Sequence, residues 1–142
     1  MRRILLASHG RVASGIKGAL KILTGDVDNV TAVDCYVDES DFTPSIQEFI
    51  DSVGEGNDAI IFTDLLGGSV CNKVMTLQPE ERGIVHVTGM NLALVLAFLL
   101  DDAPLTPKHV QQTIDLAASQ IQCVSVAGQD DAGNGDDDDF FA

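Results

Sequence analysis

"LLASHG", residues 5–10, decides how the rest of the chain is read. Leu5, Leu6 and Ala7 extend an apolar run begun at Ile4. Ser8, His9 and Gly10 then break it, and a helical pattern follows at once. A short apolar run closed by a small polar residue and a glycine reads as a buried strand feeding a turn. The first strand is therefore expected over 3–7, with an imidazole standing at its mouth.

Outward from that stretch the two periodicities alternate. A helix is expected over 12–23, with Ile16, Leu20 and Leu23 on one face and Gly25 past its end. A second strand is expected over 30–37. Thr43-Pro44 opens the next helix, Thr as N-cap and Pro at the first helical position, and Ile46, Phe49, Ile50 and Val53 form its apolar stripe. "DAIIFTD", 58–64, is a third strand, apolar enough to be covered on both faces. "GGSVCNKVMTLQ" starts a helix directly after a glycine pair, and "GIVHVTG", 83–89, is a fourth strand. Asn91 caps the apolar helix "LALVLAFLL". Thr106-Pro107 repeats the cap-plus-proline signal for a last helix, with Val110, Ile114, Ala117, Ala118 and Ile121 in register. "QCVSVA", 122–127, has the character of a fifth strand. Strands alternating with helices give an α/β class fold with a doubly wound, mostly parallel sheet. In a flavodoxin-like arrangement the strand order is 2-1-3-4.

Composition bounds the function. The chain has 142 residues, 45% of them hydrophobic, which suits one domain with a buried core. Its longest apolar run, 92–100, is too short to cross a bilayer. The basic start "MRRILLASHG" runs into the folded pattern too soon for a signal peptide, so a cytoplasmic protein is expected. Cys35, Cys71 and Cys123 have no metal-type spacing and read as small buried residues. A net charge of −14 should repel nucleic acid and anionic membranes. The domain is expected over 1–127. The segment 128–142, "GQDDAGNGDDDDFFA", carries six aspartates and reads as a disordered tail without the ligand pattern of a calcium loop.

Open α/β sheets bind ligands at the carboxyl ends of their strands, where the strand order reverses. In order 2-1-3-4 that point brings the tip of strand one, Ser8-His9-Gly10, to the tip of strand three, Thr63 through Ser69. An imidazole whose Nδ1–H bonds a carboxylate keeps one tautomer and a free lone pair on Nε2. Gly67, Gly68 and Ser69 add backbone N–H groups at a helix start, where an anion is welcome. Histidine nucleophile, orienting carboxylate and anion pocket together make a phosphoryl acceptor. Taken singly, each feature has a bland reading: a polar loop histidine, a turn aspartate, a tight glycine turn. Their meeting at one crevice carries the weight. His86 and His109 have no such company and read as structural or surface residues, and Arg11 and Lys17 as mainly solvated.

"LLASHGRVASGIKGALKILTG", "IIFTDLLGGSVCNKV" and "HVTGMNLALV" resemble, in order and spacing, the mannose-class IIA component of the bacterial phosphoenolpyruvate:sugar phosphotransferase system. The resemblance covers roughly residues 1–126. It implies that His9 carries the phosphoryl group and that Asp64 hydrogen-bonds it. The family's GGSP segment, with its serine near the phosphate, falls on Gly67, Gly68 and Ser69, and Val70 replaces the usual proline. It further implies a freestanding IIA subunit that takes phosphate from phospho-HPr and gives it to a IIB component. The membrane IIC and IID components take part indirectly, and neither cofactor nor metal is required. Homodimers of this family exchange a C-terminal strand, which here would be 122–127.

Rival readings share part of this pattern. A receiver domain would place a phosphorylated aspartate at Asp64, but it needs an acidic pair where Ser8-His9 stands and a lysine near strand five. A flavin or nucleotide module wants a richer phosphate loop than "SHGRVASG". A regulatory IIA-like signalling domain would share every site residue.

Overall fold

The computed structural model describes residues 2–125. Its elements are β1 (Arg3–His9), α1 (Val12–Thr24), β2 (Val30–Cys35), α2 (Thr43–Ser52), β3 (Ala59–Thr63), α3 (Ser69–Thr76), a 3₁₀ turn (Pro79–Arg82), β4 (Val85–Thr88), α4 (Leu92–Leu99) and α5 (Pro107–Ala118). The sheet is parallel, in the order β2-β1-β3-β4, as the doubly wound reading requires.

Alternation along the central strands explains the layering. Side chains on a strand point to opposite faces in turn. On β1 and β3, Ile4, Leu6, Ile60 and Phe62 pack with Leu20 of α1 and with Leu94, Val95 and Phe98 of α4. The intervening Leu5, Ala7 and Ile61 pack with Ile46, Phe49 and Ile50 of α2 and with Val70 and Val74 of α3. Every residue of β3 is buried, which a strand covered on both faces demands.

Helix starts follow local chemistry. Asn91 Oδ1 accepts from the Leu94 amide at 3.0 Å, and Thr106 Oγ1 accepts from the His109 amide at 3.2 Å. Thr43, expected to cap α2, is instead its first helical residue. Phe42 holds the N-cap position without a side-chain cap, and Asp41 Oδ1, one residue further out, accepts the Thr43 amide at 2.9 Å in an Asx turn. The inner face of α1 runs through Ala13, Ile16 and Leu20, and Leu23 in its last turn is 57% exposed.

At the end of the sheet where the strands begin, Arg2 is buried and fully engaged. Its guanidinium meets Asp58 at 2.8 Å, Asp101 and the Phe98 carbonyl each at 2.9 Å, and the Ala103 carbonyl at 2.6 Å. The charge is tolerable there because both carboxylates and two carbonyls share it.

The expected fifth strand is absent over 122–125, the part of 122–127 that lies within the described residues. A strand exists only through its ladder, and 122–125 take no part in a ladder among the described residues. β4 therefore closes the sheet on its side. Residues 126 and 127 and the tail 128–142, expected to be disordered, lie outside the described residues. Cys35 and Cys71 are buried as expected, whereas Cys123 is exposed. Among the described residues no helix is long and apolar enough to cross a membrane.

Candidate functional site

The register of β1 and β3 builds the site. Ala7 pairs with Thr63, so the chain emerges from both strands side by side. The backbone N–H of His9 donates to Asp64 Oδ2 at 2.8 Å, and His9 Nδ1 lies 2.9 Å from the same oxygen. The Leu65 amide donates to Oδ1 at 3.0 Å, so both carboxylate oxygens are held. Burial pushes the Asp64 carboxyl up, but the hydrogen bonds from His9 outweigh it and hold the group below the usual carboxylate range. An ionised Asp64 keeps the proton on Nδ1 and turns Nε2 outward, 3.2 Å from Ser69 Oγ.

Both tips are locked. Ser8 Oγ accepts the Ala13 amide at 2.8 Å, and the Gly10 amide donates to the Cys35 carbonyl at 2.8 Å with Gly10 at φ 59°. On the other side Gly67 turns the chain at φ 75°. A Cβ on Gly68 would come within 3.2 Å of Leu65, so the turn would have to give by a few tenths of an ångström, and within 3.6 Å of the His9 ring, an ordinary contact. The turn also uses the Gly68 amide, which donates to the Leu65 carbonyl at 3.0 Å. The amides that open α3 without an intrahelical acceptor are those of Ser69, Val70 and Cys71.

Tyr36 is the site residue that the sequence reading missed. A strand carried through 37 would have placed it in the ladder. Instead β2 stops at Cys35 and Tyr36 takes φ 65°, a left-handed conformation that costs a non-glycine residue roughly 1–2 kcal/mol. Its ring stacks on His9 with centroids 5.3 Å apart and meets Phe42 edge-on at 5.1 Å. Its hydroxyl donates to Ser69 Oγ at 3.0 Å. The available signal was positional: in order 2-1-3-4 the residue after β2 lies beside the residue after β1.

The remaining basic and imidazole groups fall elsewhere. Arg11 is 78% exposed with its guanidinium 3.9 Å from Asp34. His86 Nε2 lies 2.8 Å from Thr63 Oγ1, beneath the site, and burial lowers its pKa. His109 makes a second imidazole–carboxylate pair, with Asp101 at 2.7 Å, but that pair belongs to the Arg2 cluster at the other end of the sheet. A cavity of about 530 Å³ between β2 and α2, lined by Arg3, Asp34, Phe42 and Phe49 among others, does not include His9 or Ser69. His9 lies instead at an accessible surface, with 41% of its side chain exposed and Leu65 and Leu66 exposed on the neighbouring turn.

The family described as "PTS system fructose IIA component" (EIIA-man) matches residues 3–114. The fructose-specific EIIA component of the phosphotransferase system of Bacillus subtilis (strain 168) is 21% identical over 140 residues, covering 92% of this chain and 96% of that protein. The crystal structure of a IIA protein associated with the fucose utilization operon of Streptococcus pneumoniae superposes with a TM-score of 0.74 at 25% identity, over 90% of this chain and 95% of that one. The mannose/sorbose-specific IIA subunit from Enterococcus faecalis shares the fold, with a TM-score of 0.71 at 17% identity, covering 88% of this chain and 96% of that subunit. With residues 3–114, most of the chain, matched by the family, this protein belongs to the EIIA-man family, the mannose/fructose/sorbose type of IIA component.

Proposed function

We propose that this chain is a phosphocarrier: His9 accepts a phosphoryl group from phospho-HPr and passes it to a IIB component during sugar uptake. Membership in a family of phosphotransferase-system components supports phosphoryl transfer in general. The observation that carries the specific reading is the His9 imidazole held at Nδ1 by Asp64, with Nε2 facing Ser69 and the amides that open α3.

The step balances without a proton entering or leaving. The Nε2 lone pair forms the new N–P bond as the donor's N–P bond breaks, and that electron pair returns to the donor imidazole. His9 keeps its Nδ1 proton, and its ring becomes cationic against the Asp64 carboxylate. The phosphoryl oxygens carry the group's negative charge and meet the Ser69 hydroxyl and the amides of Ser69, Val70 and Cys71. The reverse exchange on a IIB histidine discharges the carrier. Transfer of this kind is mostly positioning and charge stabilisation. The membrane IIC and IID components act downstream, and the carrier works as a homodimer.

Incubation with radiolabelled phospho-HPr tests the assignment. Label that is acid-labile and alkali-stable, and absent from His9→Ala, is the expected result. An acyl phosphate on Asp64, or full labelling of His9→Ala, overturns it. Onward transfer of the label to a IIB component separates a carrier from a signalling domain that is phosphorylated and keeps the group.

A further inference from the structure

Tyr36 is the only tyrosine of the chain, which has no tryptophan. It spends a left-handed backbone conformation to lay its ring on His9, and Phe42 backs that ring edge-on at an interplanar angle of 72°. It stands outside both hydrophobic cores and is 56% exposed, so neither core depends on it. What it does contact is the pair of groups that act on phosphate. The stack covers one face of the imidazole at an angle of 26°. The hydroxyl donates to Ser69 Oγ and so occupies one acceptor site of that oxygen. Ser69 must then aim its own hydrogen elsewhere, and the acceptor within reach is the Nε2 lone pair at 3.2 Å. A serine hydroxyl is a free rotor unless a neighbour settles it. Here Tyr36 settles it.

We propose that Tyr36 is a positioning residue for phosphoryl transfer, its ring limiting the tilt of the His9 imidazole and its hydroxyl aiming the Ser69 hydroxyl at the site where the phosphoryl group arrives. This rests on His9 being the phosphoryl acceptor. In the resting protein the chain of donors runs from Tyr36 to Ser69 to Nε2. Once Nε2 is bonded to phosphorus it has no lone pair to offer, and the Ser69 hydrogen turns to a phosphoryl oxygen while Tyr36 still holds the serine oxygen. The aim is set before the donor docks, so its loss lowers the transfer rate and not the affinity for the donor.

Rapid-quench transfer from radiolabelled phospho-HPr over a range of donor concentrations tests this, with Tyr36→Phe, Tyr36→Asn and His9→Ala alongside the wild type. Tyr36→Phe keeps the ring and removes the hydroxyl. Tyr36→Asn removes the ring and suits the left-handed backbone. The expected rate at saturating donor falls about fivefold for Tyr36→Phe, the effect of one lost hydrogen bond. It falls by up to ~100-fold for Tyr36→Asn, where the imidazole is no longer held. The half-saturating donor concentration should hold within twofold for both, and melting temperatures confirm that each variant is folded. Tyrosine emission supplies a second readout, because no other residue contributes to it: it should change on phosphorylation of the wild type and stay constant in His9→Ala. Both variants transferring within twofold of the wild type, with His9→Ala unlabelled, would overturn the role of Tyr36 and leave His9 as acceptor. A raised half-saturating concentration with an unchanged maximal rate would also overturn it, since Tyr36 would then be a docking residue. Full labelling of His9→Ala removes the acceptor assignment and this inference together.

Discussion

At the scale of single residues, one oxygen does two jobs. Asp64 Oδ2 accepts both the backbone amide and the Nδ1 proton of His9, which ties the ring to its own backbone and sets its tautomer. An amide oxygen at the same place can accept the same donors but carries no charge to offset the cationic ring. Asp64→Asn is therefore expected to fold and to lose about 10²- to 10⁴-fold in transfer rate, read by rapid quench. Unchanged kinetics would contradict the role. The sign of the pH effect follows from the same contacts. A carboxyl held below its ordinary value contributes stability that is present above about pH 3.9, the unfolded value, and is lost as pH falls through the lower folded value. Thermal melts taken from pH 5 down to pH 2 should show a smaller acid loss in Asp64→Asn than in the wild type. Equal slopes would mean that the pair contributes nothing to stability.

At the scale of elements, helix starts decide where the site's scaffold begins, and two neighbouring residues make a sharp comparison. Asp41, not Thr43, satisfies the opening amide of α2, and that hydrogen bond is the main reason its carboxyl titrates low. Asp41→Ala should lower the urea unfolding midpoint, and Thr43→Ala should leave it nearly unchanged. The reverse ranking would restore Thr43 as the cap. The same argument gives Asn91→Ala a cost of about 1 kcal/mol, because Asn91 opens the helix that buries Leu94, Val95 and Phe98.

At the scale of the whole molecule, β2 and β4 are the edge strands of the sheet among the described residues, and the described chain beyond α5 has no ladder. Ile121 and Val124 are 77% and 76% exposed on that segment. Unpaired edges and exposed apolar residues invite association, and exchanging an identical segment satisfies both in a closed pair. In the proposed homodimer 122–127 would be the exchanged segment, and sedimentation equilibrium at micromolar concentration should give a dimer mass. Thiol chemistry locates the contact. Burial pushes the Cys35 thiol up to about 11, and Cys71 is buried, so both should react slowly with a disulfide reagent at pH 8. Cys123 should react fast in dilute monomer and slowly in the dimer. A monomer mass refutes the dimer, and a fast Cys123 within a dimer refutes the exchange. A chain ending at Gly128 should accept phosphate at the full rate, and a large drop would show that the tail takes part.

The element order, the parallel class and the pairing of His9 with Asp64 were legible in the sequence. Strand and helix periods are local properties, and a strand order of 2-1-3-4 leaves one place where tips separated by more than fifty positions can meet. Glycine at 67 and 68 was legible as a turn for the same reason. Three things were settled only by the packed chain. The Gly68 amide closes its own turn on the Leu65 carbonyl, and the amides that open α3 are those of Ser69, Val70 and Cys71. The segment 122–125 has strand-like residues but no ladder, because pairing depends on which edge is within reach and not on propensity. Tyr36 has β-propensity and sits in a run that reads as strand, yet it turns left-handed to reach His9 and Ser69. Local sequence sets what each residue prefers. Contacts across β2, β1 and β3 offset the roughly 1–2 kcal/mol that a left-handed residue costs.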